Sequence, residues 1–370
     1  MAVTTNGTAA GLVDWRTVER MTALIPAGPS ASHSARASSV AVLRRSAREA
    51  PTWVARITGL HRAAQQVAET TRVSVVDRAG LVRASTRALR GLMEQVPAPR
   101  ASEAVRLVGA AEMAGAMSLI ATRMLGQVVP ATGTGADGDG GRGGEASPHL
   151  LLVAPNVLAM RRQLDLDMLD LPAWVCLHET THAVQLMAAP WLGSYLADSM
   201  RTVIGAVVEA VYGGAGSGER GPGPRRGSVV RIAARAGRGR VLEGLTNLRE
   251  RSEVSSLAAA LTFLEGHAEV VLDDVRPNRM PSVHRLRAVL SRSRAVDGGI
   301  GPGPGLGALL LHRLMGLEAK EAQYADGAAF VRSVVARIGH EGLNVVWTDP
   351  ALLPTPAEIA RPDVWVRRVS

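Results

Sequence analysis

Residues 171–192, LPAWVCLHETTHAVQLMAAPWL, set the strongest limit on what this chain can fold into. The segment predicts a helix: Asp170 supplies a cap, Pro172 falls in the first turn where its missing N–H costs nothing, and Gly193 follows the end. Trp174, Val175, Leu177, Val184, Leu186 and Met187 cover most sides of that helix, so it belongs inside a domain with the rest of the chain packed round it. Two histidines, His178 and His182, sit within this apolar run. Burying paired imidazoles requires partners for them.

The pair belongs to an HExxH pattern, His178-Glu179-x-x-His182. Histidines four apart lie roughly 40° apart around a helix axis, so both rings reach one cation on the same side. Neutral imidazoles suit Zn²⁺, and a glutamate next to the first histidine lies near the metal without ligating it, where it can take a proton from water. The bland alternative is two core histidines bonded to their neighbours. With nine histidines in 370 residues, the pattern is expected by chance in roughly 1% of such chains, so the metal reading takes precedence.

Catalytic zinc commonly takes three protein ligands and keeps a position open. The extended metzincin pattern HExxHxxGxxH is excluded, because Gln185 and Ala188 occupy the relevant places. The best source of a third ligand is residues 252–275, SEVSSLAAALTFLEGHAEVVLDDV, a helical run ended by Pro277. Glu265 and Glu269 share one face of it and His267 points away from both, so at most one set faces the zinc. Acids on a mostly apolar helix favour Glu265 as ligand, with Glu269 accepting a histidine N–H. A solvated acidic stripe, His267 and Glu243 stay as alternatives. Gly266 is expected to let this helix approach the metal helix closely, at about 1 kcal/mol of helix propensity.

Composition removes other classes. The single cysteine, Cys176, excludes an internal disulfide framework and fits a reducing cytoplasm. Two residues before His178, it points to the other side of the helix and reads as a buried structural thiol. The net charge of +9 is almost all arginine, but aromatics are scarce, so there is no stacking platform for single-stranded nucleic acid and no specific nucleic-acid partner is expected. The first fifteen residues lack a signal-peptide pattern, and no uninterrupted apolar run of about 18 residues occurs, so a cytoplasmic protein with no membrane partner is expected.

Along the chain, helices are expected at 14–24, 35–50, 60–73, 78–96 and 102–129, with β alternation nearly absent. Residues 149–154, HLLLVA, are the clearest strand and a possible wall of a substrate cleft, along which an extended peptide would add a strand. Gly-rich stretches at 131–147, 213–228 and 297–307 read as flexible connections. The first separates an N-terminal helical region, 1–130, from 148–370, the two packing as neighbours or as one integrated domain. Further helices are expected at 283–294, 308–317 and 319–338, with a proline-punctuated tail after them.

LLLVAPNVLAM, WVCLHETTHAVQ, FLEGHAEVVLDDV and KEAQYADGAAFV resemble an actinobacterial zincin-like family of zinc-dependent metalloproteases or hydrolases, including a branch associated with coenzyme F420 biosynthesis. VDW at 13–15, ITGL at 57–60 and RMLGQ at 123–127 are similar to that branch as well. The resemblance implies a predominantly helical α+β fold, a zincin-like core with extra N-terminal helices and a small sheet. It also implies zinc at His178 and His182, Glu265 as third ligand and Glu179 as general base. Tyr324, one of three tyrosines, could donate to the oxyanion on a scissile carbonyl, or simply anchor its helix. The expected reaction is hydrolysis of a peptide or small amide, and the other class is a non-proteolytic accessory protein with a structural or vestigial zinc site.

Overall fold

The structure, a computed structural model, describes residues 7–130, 147–212, 248–296 and 322–370, with side chains left out at 210–212, 248–251, 291–296 and 322–326. The flexible connections expected at 131–147, 213–228 and 297–307 fall almost wholly outside these residues, as do Glu243 and the helix expected at 308–317. The fold is α+β and predominantly helical.

A short ladder joins β1 (Gly7–Thr8) to β3 (Pro97–Ala98). Helices α1 (Trp15–Thr22), α2 (His33–Thr58), α3 (His61–Thr70), α4 (Arg78–Glu94) and α5 (Glu103–Arg123) make up most of the first part, with strand β2 (Arg72–Val76) between α3 and α4. Strands β4 (Gly126–Val129) and β5 (His149–Val153) follow, then α6 (Ala154–Gln163), α7 (Asp170–Ala188) and α8 (Leu192–Tyr212). The remaining helices are α9 (Leu248–Asp273), α10 (Val283–Val296), α11 (Ala322–Leu343), α12 (Pro356–Ile359) and α13 (Pro362–Val369).

Strand β4 replaces expected helix, and β2 takes the last two residues of another expected helix together with the residues after it. The helix expected to run to residue 73 stops at Thr70, and the one expected to run to 129 stops at Arg123. Both freed segments pair with β5, which lies between them, parallel to β2 and antiparallel to β4. Segments of five and four residues carry too little pattern to register alone, and the decision is made by their partner. The arrangement also corrects the role expected of residues 149–154. Strand β5 has both edges filled and cannot accept a further strand; among the described residues β4 is an edge of the sheet. Because β2 and β4 precede the Gly-rich connection and β5 follows it, one sheet joins the two parts of the chain.

Helix α7 is the centre of the molecule. Leu171, Trp174, Val175, Cys176, Leu177, Ala183 and Val184 are buried in one core with Leu43, Val54, Ala64, Val67, Leu150, Leu152, Val271 and Leu286. Its start is not capped by Asp170. The Asp167 carboxylate accepts from the backbone N–H of Leu169 and Asp170, while Asp170 reaches away to the N–H and hydroxyl of Ser282, fastening the segment before α10 to the start of α7. The Cys176 thiol is buried against the Leu43 carbonyl on α2 at 3.5 Å, and burial pushes its pKa up.

Helix α9 packs between α7, α8 and α11. Its last carbonyls accept from the Arg287 guanidinium, which bonds Leu272, Asp273 and Val275. Gly266 does open a close approach, but toward α11 and not toward α7. A Cβ at 266 would lie 2.2 Å from the Gly327 carbonyl carbon, and one at 327 would lie 2.2 Å from the Thr262 oxygen. Among the described residues one helix, Glu103–Arg123, is long and apolar enough to cross a membrane. It carries Arg106 and Glu112, and Ala110, Met117, Ile120 and Ala121 pack it into a core with α1 and α4.

Candidate metal centre

Helices α7 and α9, far apart in sequence, bring three donors to one point. The Nε2 atoms of His178 and His182 are 3.2 Å apart, and Glu265 places one oxygen 3.4 Å from the first and the other 3.6 Å from the second. These potential ligand atoms all lie within 4.8 Å of one another. A tetrahedral ion with bonds of about 2.0–2.1 Å sets its donors roughly 3.3–3.4 Å apart. Two imidazoles and a carboxylate, with one Glu265 oxygen facing each ring, are thus the donor set zinc takes, at spacings close to those it needs.

His182 and Glu265 shift each other's proton affinity in opposite directions. Burial works against charge on His182, but the Glu265 carboxylate beside it outweighs burial and raises it to about 9. Burial would raise Glu265, yet the two imidazoles hold it down at about 2. Negative charge held beside two ring nitrogens is also what a divalent cation requires.

Glu179 is buried next to the donors without joining them. Burial pushes its carboxyl up to about 7, with the two histidines pulling the other way and Glu265 adding to the rise. Its side chain lies against strand β4: a Cβ at Gly126 would be 2.6 Å from Glu179 Cγ and 3.0 Å from Oε1. A glycine at the start of the edge strand thus makes the space that the glutamate fills.

Glu269 is partly buried one turn beyond Glu265 and stands outside the three-donor group. The Nδ1 of His182 meets an amide instead of a carboxylate, the Gln185 Oε1 at 2.9 Å. His267 is fully buried on another side of α9, its Nδ1 3.0 Å from Gln185 Nε2 and its ring packed with Phe263 and Trp347. Burial pushes it down to about 3, so it is neutral. The backbone of Tyr324 lies in the first turn of α11, and its side chain is outside the described atoms.

Two participants were not found from the sequence. Gln185 had a usable signal, being an amide on an otherwise apolar stretch three residues after His182 and therefore on the same face. Gly126 had none, since nothing in RMLGQVV links that glycine to a residue 53 positions later.

The family model described as zincin-like metallopeptidase matches residues 13–366. The fold is similar to the crystal structure of a "putative hydrolase with a novel fold" from Chloroflexus aurantiacus, with a TM-score of 0.61, 20% identity, and coverage of 96% of this chain and 98% of that one. At that identity the likeness speaks for the fold. No curated protein matches the chain.

Proposed function

The chain belongs to the zincin-like metallopeptidase family, and on that premise we propose that it is a zinc-dependent hydrolase of peptide or small amide bonds. His178, His182 and Glu265 hold the metal, and Glu179 is the general base. The observation that carries this reading is the spacing of 3.2, 3.4 and 3.6 Å among the three donors. When bound, zinc would supply a Lewis acid that polarises a carbonyl and makes water more acidic.

The chain's own groups supply the rest. Glu179 takes a proton from the attacking water and returns it to the leaving amine, and a carboxyl whose proton affinity has been raised by burial suits a group that must do both. Contact with Gly126 fixes where that carboxyl stands relative to β4. Strand β4 is an edge strand among the described residues, and an extended substrate bonded along it would carry its carbonyl toward Glu179. Glu269 is assigned as support for the histidines and Tyr324 as a donor to the developing oxyanion, each a proposal. A reducing, cytoplasmic setting suits the lone thiol of Cys176.

The test is zinc analysis coupled to peptide-library cleavage by the wild type and Glu179→Gln. Zinc retained in both with cleavage in the wild type alone is the expected result. Zinc in both and cleavage in neither would move the chain to the accessory class, in which the ion is structural or the site vestigial.

A further inference from the structure

Gln185 makes three contacts with its amide, and one of them decides the other two. The Leu264 backbone oxygen, 2.9 Å from the amide nitrogen, can only accept, so the nitrogen must be the atom that faces it. The second amide hydrogen then goes to His267 Nδ1 at 3.0 Å, which must accept, placing the His267 hydrogen on Nε2. Oε1 is left facing His182 Nδ1 at 2.9 Å, and a carbonyl oxygen can only accept there. Nδ1 of His182 therefore carries a hydrogen, and Nε2 is the nitrogen offered toward His178 and Glu265.

We infer that Gln185 is the positioning residue of the metal centre: one buried amide sets the tautomer and ring orientation of His182 and fixes α7 against α9 beside the third donor. The second effect follows from sequence adjacency, since Leu264, whose carbonyl the amide grips, precedes Glu265. Gln185 is itself only 1% exposed, so water cannot replace a lost partner, and the Leu264 carbonyl, which can only accept, keeps the amide from turning over. This inference rests on the zinc reading for its purpose, but the hydrogen-bond assignment stands without a metal.

Two measurements separate the parts. In the zinc-free wild type, ¹⁵N NMR of the histidine rings should find His267 with its hydrogen on Nε2. A hydrogen on Nδ1 would mean the amide faces the other way and would overturn the inference. Zinc affinity, by chelator competition, is then compared in the wild type, Gln185→Met and Gln185→Glu. Methionine fills the space with no polar atom and should weaken zinc by about 10–100-fold, the usual cost of losing a group that orients a ligand. Glutamate still accepts from His182 Nδ1 and should restore most of the affinity even if it lowers the melting temperature. A methionine variant that melts earlier yet binds zinc like the wild type would show a purely structural amide and defeat the proposal. Should the methionine variant not fold, a glutamate variant that has lost zinc would defeat it equally. A wild type that binds no zinc sinks the proposed function, while the His267 tautomer still reports on the amide.

Discussion

Glu179 occupies the space that a side chain at residue 126 would need: a Cβ there would lie 2.6 Å from its Cγ and 2.9 Å from its Cδ. The Glu179 side chain and strand β4 are thus fitted to one another across a gap only glycine allows.

Gly126→Ala should therefore displace the Glu179 carboxylate while leaving the three donors in place. The expected outcome is a fall in kcat of at least about tenfold, as for small misplacements of catalytic groups, with zinc affinity unchanged. Kinetics on any substrate found by library cleavage, beside a zinc titration, check it. Full activity in the alanine variant would disconnect β4 from catalysis.

The same physics makes Gly266 a stability residue. Alanine would normally gain about 1 kcal/mol within a helix, but here its Cβ would lie 2.2 Å from the backbone carbon of Gly327. Backbone cannot rotate aside, and overpacking of this kind costs about 1–3 kcal/mol or more. Gly266→Ala should lower the melting temperature, and a rise in it would contradict the contact between α9 and α11.

How far the sequence could be read follows from where each signal lies. Helix α7 and its histidines were legible because both the apolar pattern and the four-residue spacing are local. Glu265 could be singled out as an acid on an apolar helix, although a sequence cannot say which of its faces meets α7. Strand β4 reads as helix, and β2 in part as helix and in part as no element, because their pairing with β5 is a tertiary fact. Gly266 was correctly read as a point of close approach and given the wrong partner, since a missing side chain does not name its neighbour. The Gln185 bonds to Leu264 and His267 span 79 and 82 residues, beyond any periodicity.

Proton linkage gives a pH signature for the zinc-free protein. His182 is raised to about 9 in the fold against an ordinary value of 6.5, and Glu179 to about 7 against 4.5. Above about pH 7, where His267 is neutral folded or unfolded, the native state thus binds more protons than the unfolded chain, so stability falls as pH rises. The contribution of His182 is complete below pH 6.5 and lost as pH passes 9. Thermal melts of the zinc-free protein from pH 7 to 9.5 should show this decline. Zinc competes with the proton on His182, so its affinity should rise across that range. Flat melts together with pH-independent zinc binding would contradict the coupling.

Tyr324→Phe removes one hydroxyl from the start of α11. If that hydroxyl donates to the oxyanion, kcat should drop by about 10²–10³-fold, with zinc affinity and melting temperature unchanged. A drop in melting temperature with kcat retained would assign the tyrosine to anchoring its helix.

The most direct measurement is zinc stoichiometry and affinity, by elemental analysis and chelator competition, for the wild type beside His178→Ala, His182→Ala and Glu265→Ala. One zinc per wild-type chain, with binding sharply weakened in each variant while the fold is retained by circular dichroism, is the result expected of two helices sharing one ion. Binding by Glu265→Ala equal to that of the wild type, or no zinc in the wild type, would contradict it.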